Sequence, residues 1–398
     1  MTRAVVIIDG EHYAPVVRDA IAELPYDVVG AWLAGGSEKL RGGEEYGVPL
    51  LPELDDGFAQ AEVVVDLSDE PVLGPRERFR LASRALAAGL RYEGADFRFE
   101  PPQYASFPLP SLAVIGTGKR VGKTAVTGHV VRLLASERDV VVVAMGRGGP
   151  AQPVLAEAAP TLNTLLELSR AGEHAASDYL ETAALTGVVT IGCRRAGGGL
   201  AGAVTTSNVL QGAALAAERE PDVVVFDGSG AAIPPIDVDA RILVTGAAQD
   251  PTAYLNAYRV LVSDLVVLIG DGDAERVRAL KDVPVIRADL RLRPVAPLAG
   301  RRAAVFTTGP APTDHLDAEV VSVSRNLADR AKLRDDLAHT DAEVFVVEIK
   351  AAAIDVVAET ASERGTDVIL AENEVVPLPG EPDLDAAILQ LVPTGART

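Results

Sequence analysis

Apolar residues gather along this chain in short, nearly unbroken runs, with stretches of helical spacing between them. The run 4-AVVII-8 predicts a buried strand, 14–24 a helix, and 27-DVVGAWL-33 and 61-AEVVVDL-67 further strands of a βαβ arrangement. Between 92 and 111, in YEGADFRFEPPQYASFPLPS, prolines and aromatics interrupt the periodicity and set a boundary near residue 108. The pattern restarts at 112-LAVIG-116, continues through a glycine-rich loop into a helix predicted over 123–137, and reaches 139-DVVVVAMG-146. Further runs follow at 187-GVVTIGC-193, 222-DVVVFDG-228, 240-ARILVTG-246, 264-DLVVLIG-270 and 283-VPVIRAD-289. Runs of this kind imply strands covered on both faces, so residues 109–299 are expected to form a doubly wound, mainly parallel sheet. Beyond 300, AAVFTTG, AEVVSVS, AEVFVVEI and DVILAEN alternate with helical spacing before a tail bearing proline and glycine. The expected organisation is α/β throughout: a Rossmann-like unit at 1–108, a nucleotide-binding unit at 109–299 and a small third unit at 300–398.

Composition narrows the function classes. At 398 residues with 48% apolar and only 4% aromatic side chains, the chain can bury several cores and suits alternating strands and helices. The formal charge of −20 argues against nucleic acid as a partner and requires any anionic ligand to be held by a local cationic pocket. Cys193 is the only cysteine, which excludes an internal disulfide and a thiolate zinc cluster. The opening MTRAVVIIDGEHY lacks a signal-peptide layout, and no apolar run reaches membrane-spanning length, so a cytoplasmic location without membrane partners is expected.

The most informative stretch is 114-VIGTGKRVGKTAVTGHVV-131. Against the pattern G-x-x-x-x-G-K-[ST], Gly122, Lys123 and Thr124 fit, while Thr117 takes the place of the first glycine between Gly116 and Gly118. A strand before and a helix after favour a phosphate-binding loop, Gly116-Thr117-Gly118-Lys119-Arg120-Val121-Gly122-Lys123-Thr124-Ala125, over an ordinary turn with surface basics. Lys123 should then reach the β- and γ-phosphates and Thr124 a magnesium ion. Asp227, closing a later strand, is the expected second metal contact, the alternative being a carboxylate that caps the next segment. ATP is the expected nucleotide, since no N/T-K-x-D guanine-reading motif follows these strands.

Two other strand ends carry arginine among glycines, 145-MGRGGP-150 and 191-IGCRRAGGG-199. In so acidic a chain, Arg147 with Gly148, Arg194 and Arg195 beside a phosphate loop suggest a second polyanionic ligand, although any one of them could pair with surface acids. Ser229, and Asp178 in 172-GEHAASDYLE-181 with His174, are further substrate candidates, as are Asp9, His12 and Tyr13 after the first strand. His129 on the loop helix is more simply read as a packed histidine.

GTGKRVGKTAV, MGRGGP, ASDYLE, GCRRAGGG and FDGSGAAIPP together resemble the cyclic 2,3-diphosphoglycerate synthetase family, in the dethiobiotin-synthetase-like branch of the P-loop proteins. The pattern departs from that family at Asp227, where glutamate is expected. The resemblance implies ATP- and Mg2+-dependent closure of 2,3-bisphosphoglycerate to its cyclic pyrophosphate with release of ADP and phosphate, K+ as a further cofactor, and a homodimer. Catalytic roles would fall to Lys123, Arg147, Arg194, Arg195 and Asp227. In the third unit Lys332, Arg334 and Lys350 could close over the substrate, the alternative being charged residues solvated on helical faces. A carboxylate-activating ligase of the dethiobiotin or cobyrinate type is the rival within the fold. A nucleotide-switched metallochaperone is disfavoured by five scattered histidines and one cysteine.

Overall fold

The computed structural model describes residues 1–398 except 173, 174, 176, 310, 350–352, 394–398 and the side chain of residue 39. His174 and Lys350 therefore lie outside the described residues. The run at 4–8 becomes the strand Arg3–Ile8, paired in parallel with Asp27–Leu33 and Val63–Asp66. Between the first two, the helix Ala14–Glu23 starts with proline in its first turn and buries Ala14, Val17 and Ile21, positions that share one helical face.

The second sheet carries the phosphate loop. Its strand Ser111–Gly116 is buried along its whole length between Val223–Asp227 and Ala240–Gly246, both parallel to it. Beyond Val223–Asp227 come Val140–Gly146 and Thr190–Ala196; beyond Ala240–Gly246 come Leu265–Ile269 and Val285–Pro294. Period-two alternation divides these apolar runs between two cores. Leu112, Val114, Val142 and Val225 meet Val126, Val130, Val131 and Leu134 of the helix Lys123–Ala135 on one face. On the other face Ala113, Ile115, Val143 and Phe226 join a cluster that runs through Tyr258 and Leu81 to Val5 and Ile7 of the amino-terminal sheet. Burying each of the loop helix's valines and Leu134 contributes roughly 1.5–3 kcal/mol, which fixes the helix beneath the sheet end where the loop emerges.

The sheet does not stop at 299. Val285–Pro294 runs on past its parallel neighbour and pairs antiparallel with Asp367–Pro377, from Ala288 opposite Pro377 to Pro294 opposite Ala371. Asp367–Pro377 pairs in turn with Val344–Glu348, and the order continues through Arg302–Phe306 to Glu319–Ser324, all parallel to one another. A single sheet thus spans the boundary expected at 299/300. Where a tail was expected, the helix Leu384–Gln390 returns to the loop helix: Leu384 and Ile388 enter its core, and His129 Nε2 lies 2.6 Å from Asp385 Oδ1. Arg132 of the loop helix and Arg293 both pair with the buried Glu372. Leu165, Leu166, Ala175 and Leu180 pack into the core formed by Phe306, Leu333, Phe345 and Ile354. Among the described residues no helix is long and apolar enough to cross a membrane.

Candidate active site

The loop leaves the sheet at Gly116 and enters the helix at Lys123. Gly122 sits at the helix N-cap with φ 89°, a left-handed conformation that glycine adopts without a side-chain clash, and a Cβ there would come within 2.8 Å of Ile269 Cγ1. Val121 is buried in the core below, so the loop is pinned from inside, while Lys119 and Arg120 are exposed. Thr117 replaces the first glycine with a working side chain. Its hydroxyl is 2.6 Å from Gln249 Oε1 and 3.1 Å from Thr245 Oγ1, and its N–H donates to the Val244 carbonyl at 3.1 Å. The loop is thereby tied to the neighbouring strand. Ala125, in the first helical turn, is buried in the core.

Lys123 Nζ donates to Asp227 Oδ1 at 2.5 Å, and Thr127 Oγ1 donates to the same oxygen at 2.7 Å. Lys123 and Thr127 are four residues apart and so share the helical face that meets the strand end. Thr124 is itself exposed, and the hydroxyl on Asp227 is that of Thr127. Burial pushes the Asp227 carboxyl upward from the usual range; Lys123 and Thr127 pull it back, and the nearby carboxylate of Asp178 adds to the rise. Both hydrogen bonds described for Asp227 fall on Oδ1.

The described residues contain no cluster of three or more His, Cys, Asp or Glu side chains able to cage a metal. The strand-end carboxylate of Asp227 is an oxygen donor of the kind that suits Mg2+, which is commonly held by one or two carboxylates together with substrate phosphates and water.

The arginines converge from two other strand ends. A Cβ on Gly230, which has φ 61°, would collide with Arg147 Nη2 and stand 3.8 Å from Arg195 Nη2. Arg195 donates from Nη1 to the Gly197 carbonyl at 2.6 Å and from Nη2 to the Ser229 carbonyl at 2.8 Å; its Nε is buried without a partner. Burial, then the like charge of Arg147, depress the Arg195 pKa, with Asp178 opposing. Asp178 opens the helix Asp178–Thr186, and its Oδ2 lies 3.3 Å from where a Cβ on Gly146 would be. The structure thus brings Lys123, Asp227, Arg147, Arg195, Asp178 and Ser229 to one sheet end.

Arg194 is not part of that convergence. Adjacent residues on a strand point to opposite faces, so Arg194 and Arg195 are not both directed at Gly230. Gly148 follows Arg147 in an exposed turn. Asp9 is fully buried in the amino-terminal unit and accepts from the N–H groups of Glu11, His12 and Asp69, while His12 Nδ1 donates to it at 2.8 Å. Burial opposes its ionised form, yet the bonds from His12 and Asp69 prevail and hold the carboxyl below the usual range. These partners all belong to the first unit, and Tyr13 is exposed. Lys332 pairs with Asp329 at 3.1 Å.

A buried strand emptying through a glycine-bearing loop into a helix, with the loop lysine on a strand-end carboxylate of a parallel sheet, defines a P-loop nucleotide-binding protein. The models of the cyclic 2,3-diphosphoglycerate synthetase family match here in three parts: the P-loop domain at 111–284, the N-terminal domain at 3–100 and the C-terminal domain at 294–374. The chain is 48% identical to the cyclic 2,3-diphosphoglycerate synthetase of Rubrobacter xylanophilus, over 99% of this chain and 98% of that one. It is 41% identical to that of Thermococcus kodakarensis, covering 97% and 98%, and 35% identical to that of Methanothermus fervidus, covering 98% and 96%. The chain belongs to the cyclic 2,3-diphosphoglycerate synthetase family.

Proposed function

We propose that this protein closes 2,3-bisphosphoglycerate into cyclic 2,3-diphosphoglycerate with consumption of ATP and release of ADP and phosphate. Family membership supports the reaction. The observation that carries it to these residues is the convergence of Arg147 and Arg195 on Gly230, beside the Lys123–Asp227 pair. Two guanidinium groups crowded together, the pKa of one depressed by burial and by the other and only opposed by Asp178, favour a further anion, and a substrate with two phosphates and a carboxylate supplies it.

In this reading the phosphate loop and Lys123 hold the β- and γ-phosphates of ATP. One substrate phosphate oxygen attacks the γ-phosphorus and ADP leaves. An oxygen of the other substrate phosphate then attacks the inner phosphorus of the new pyrophosphoryl group, closes the ring and expels inorganic phosphate. Arg147 and Arg195 keep the two anionic arms together, which makes the second step intramolecular and removes much of its entropic barrier. Arg194, on the opposite face of the same strand end, adds positive charge to the site without joining the contact at Gly230. Asp227 and Thr124 would hold Mg2+, directly or through water, and the ion would supply charge neutralisation on the transferred phosphoryl group. The reading further includes K+ as a cofactor, contacts of Asp178, Ser229, Gly148, Asp9 and His12 with the substrate pocket, a cytoplasmic homodimer, and functional units at 1–108, 109–299 and 300–398.

The test is ATP labelled at the γ-phosphorus. The label should appear in inorganic phosphate, only when 2,3-bisphosphoglycerate is present, and in no cyclic product. Label retained in the cyclic product would overturn the order of steps; ATP consumption that requires a carboxylic acid and an amine would replace the reaction with that of a ligase.

A further inference from the structure

Asn208 stands between the two strand ends that carry the arginines and touches both. Its side chain is largely buried, at 8% exposure. Oδ1 accepts the Arg194 N–H at 2.6 Å, while Nδ2 donates to the carbonyls of Pro150 at 3.2 Å and Ala151 at 3.3 Å. The orientation of the amide follows from its partners, because a backbone N–H can only donate and a carbonyl can only accept. The Asn208 N–H also donates to the Arg194 carbonyl at 3.2 Å. One residue therefore clamps the turn after Val140–Gly146, which carries Arg147, to the end of Thr190–Ala196, which carries Arg194 and Arg195.

The local helix does not account for this arrangement. Asn208 occupies the N-cap of the helix Val209–Ala217, where an asparagine side chain ordinarily accepts from a first-turn N–H and contributes about 1 kcal/mol. No such bond is made, and the amide is turned toward the two arginine strands. Arg147 projects from a turn with exposed residues, and no ion pair or hydrogen bond of its side chain is described; the collision with a Cβ at Gly230 marks where its guanidinium rests. The parallel ladder pairs Gly146 with Arg194; beyond that pair the separation of Arg147 from Arg195 depends on how the two backbones leave the sheet, and among the described residues Asn208 is a side chain that spans them.

We propose that Asn208 is a positioning residue: it sets the distance between Arg147 and Arg195, and through that distance the preference of the site for a ligand with two vicinal phosphates over one with a single phosphate. This rests on the assignment of both arginines to the bisphosphoglycerate site. A monophosphate needs one guanidinium and is indifferent to the spacing, whereas a bisphosphate is held only when both are in register.

The experiment compares Asn208→Ala and Asn208→Asp with Arg147→Ala and Arg195→Ala. Asn208→Asp is isosteric; it keeps the acceptor for the Arg194 N–H but sets an oxygen against the Pro150 and Ala151 carbonyls, so it opens the clamp on the Arg147 side alone. Steady-state kinetics give KM for 2,3-bisphosphoglycerate and for ATP, inhibition constants are taken for 2- and 3-phosphoglycerate, and thermal melting checks the fold. Both Asn208 variants should raise the bisphosphoglycerate KM about tenfold, in keeping with the loss of two or three buried hydrogen bonds. Their ATP KM should stay within about twofold and their monophosphate inhibition constants should hardly move, so that the preference for two phosphates narrows. Arginine variants that lose bisphosphoglycerate affinity beside folded Asn208 variants that retain it would overturn the role of Asn208 alone. Unchanged affinity in the arginine variants would remove the substrate assignment and this proposal with it. Equal losses for ATP, monophosphates and bisphosphate in Asn208→Asp would reduce Asn208 to a structural role and overturn the proposal.

Discussion

Thr127→Val removes one hydroxyl and changes almost nothing in volume. Thr127 is 1% exposed and its hydroxyl donates at 2.7 Å to Asp227, itself 2% exposed, so water cannot replace the lost bond. A hydrogen bond to a charged group is worth about 1.5–3 kcal/mol, and because Lys123 still contacts the same oxygen the lower end of that range applies. Chemical denaturation followed by tryptophan-independent circular dichroism should therefore show a loss of about 1.5–2 kcal/mol in the transition that includes the central sheet. Thr127 also draws the Asp227 carboxyl down against the upward push of burial, so its removal should move the acid limb of kcat/KM for ATP to higher pH. Thr124→Val is the matched control. Thr124 is exposed, so stability should stay within about 0.5 kcal/mol while the Mg2+ concentration needed for activity rises. If Thr127→Val melts like the wild type, or if Thr124→Val is the variant that loses stability, the assignment of the two threonines is wrong.

Lys123→Ala leaves Asp227 buried beside Thr127 without its cation, which should abolish turnover and cost about 3–5 kcal/mol of stability; Lys123→Ala with Asp227→Asn should recover much of the stability and none of the turnover. Gly230→Ala puts a methyl group where Arg147 Nη2 lies and strains a backbone at φ 61°, so Kd for bisphosphoglycerate should rise at least tenfold with ATP affinity unchanged, read by isothermal titration of each ligand. Asp9 has a folded-state pKa held below its usual 3.8, so its ionised form stabilises the fold above that pH and the contribution is lost as pH falls through the lowered value. The melting temperatures of wild type and Asp9→Asn should accordingly differ at pH 7 and approach one another toward pH 3.

Much of the architecture could be read from local pattern, and what escaped is long-range. Buried strands covered on both faces announce themselves as apolar runs, and Ser111–Gly116, Val140–Gly146 and Val223–Asp227 form where those runs lie. Lys123 and Asp227 were recognisable because a loop motif and a strand-end acid each have a chemical signature. Thr127 was missed although the signal was present: it lies four residues after Lys123, on the same face, whereas Thr124 does not. Arg194 could likewise have been separated from Arg195 by strand alternation. Gln249 and Asn208 carried no such signal, since their partners, Thr117 in one case and Pro150, Ala151 and Arg194 in the other, are set by tertiary packing. The continuous sheet escaped for a related reason. Nothing in 283-VPVIRAD-289 states that the strand will extend to Pro294 or that its partner will be Asp367–Pro377, some eighty residues on.

The most direct measurement is phosphorus NMR of the protein with ATP, Mg2+ and 2,3-bisphosphoglycerate, with Lys123→Ala alongside. The account predicts growth of a cyclic pyrophosphate resonance, with ADP and inorganic phosphate in equal amounts, in the wild type alone. ATP loss without that resonance, or the same resonance in Lys123→Ala, would contradict cyclisation at this loop.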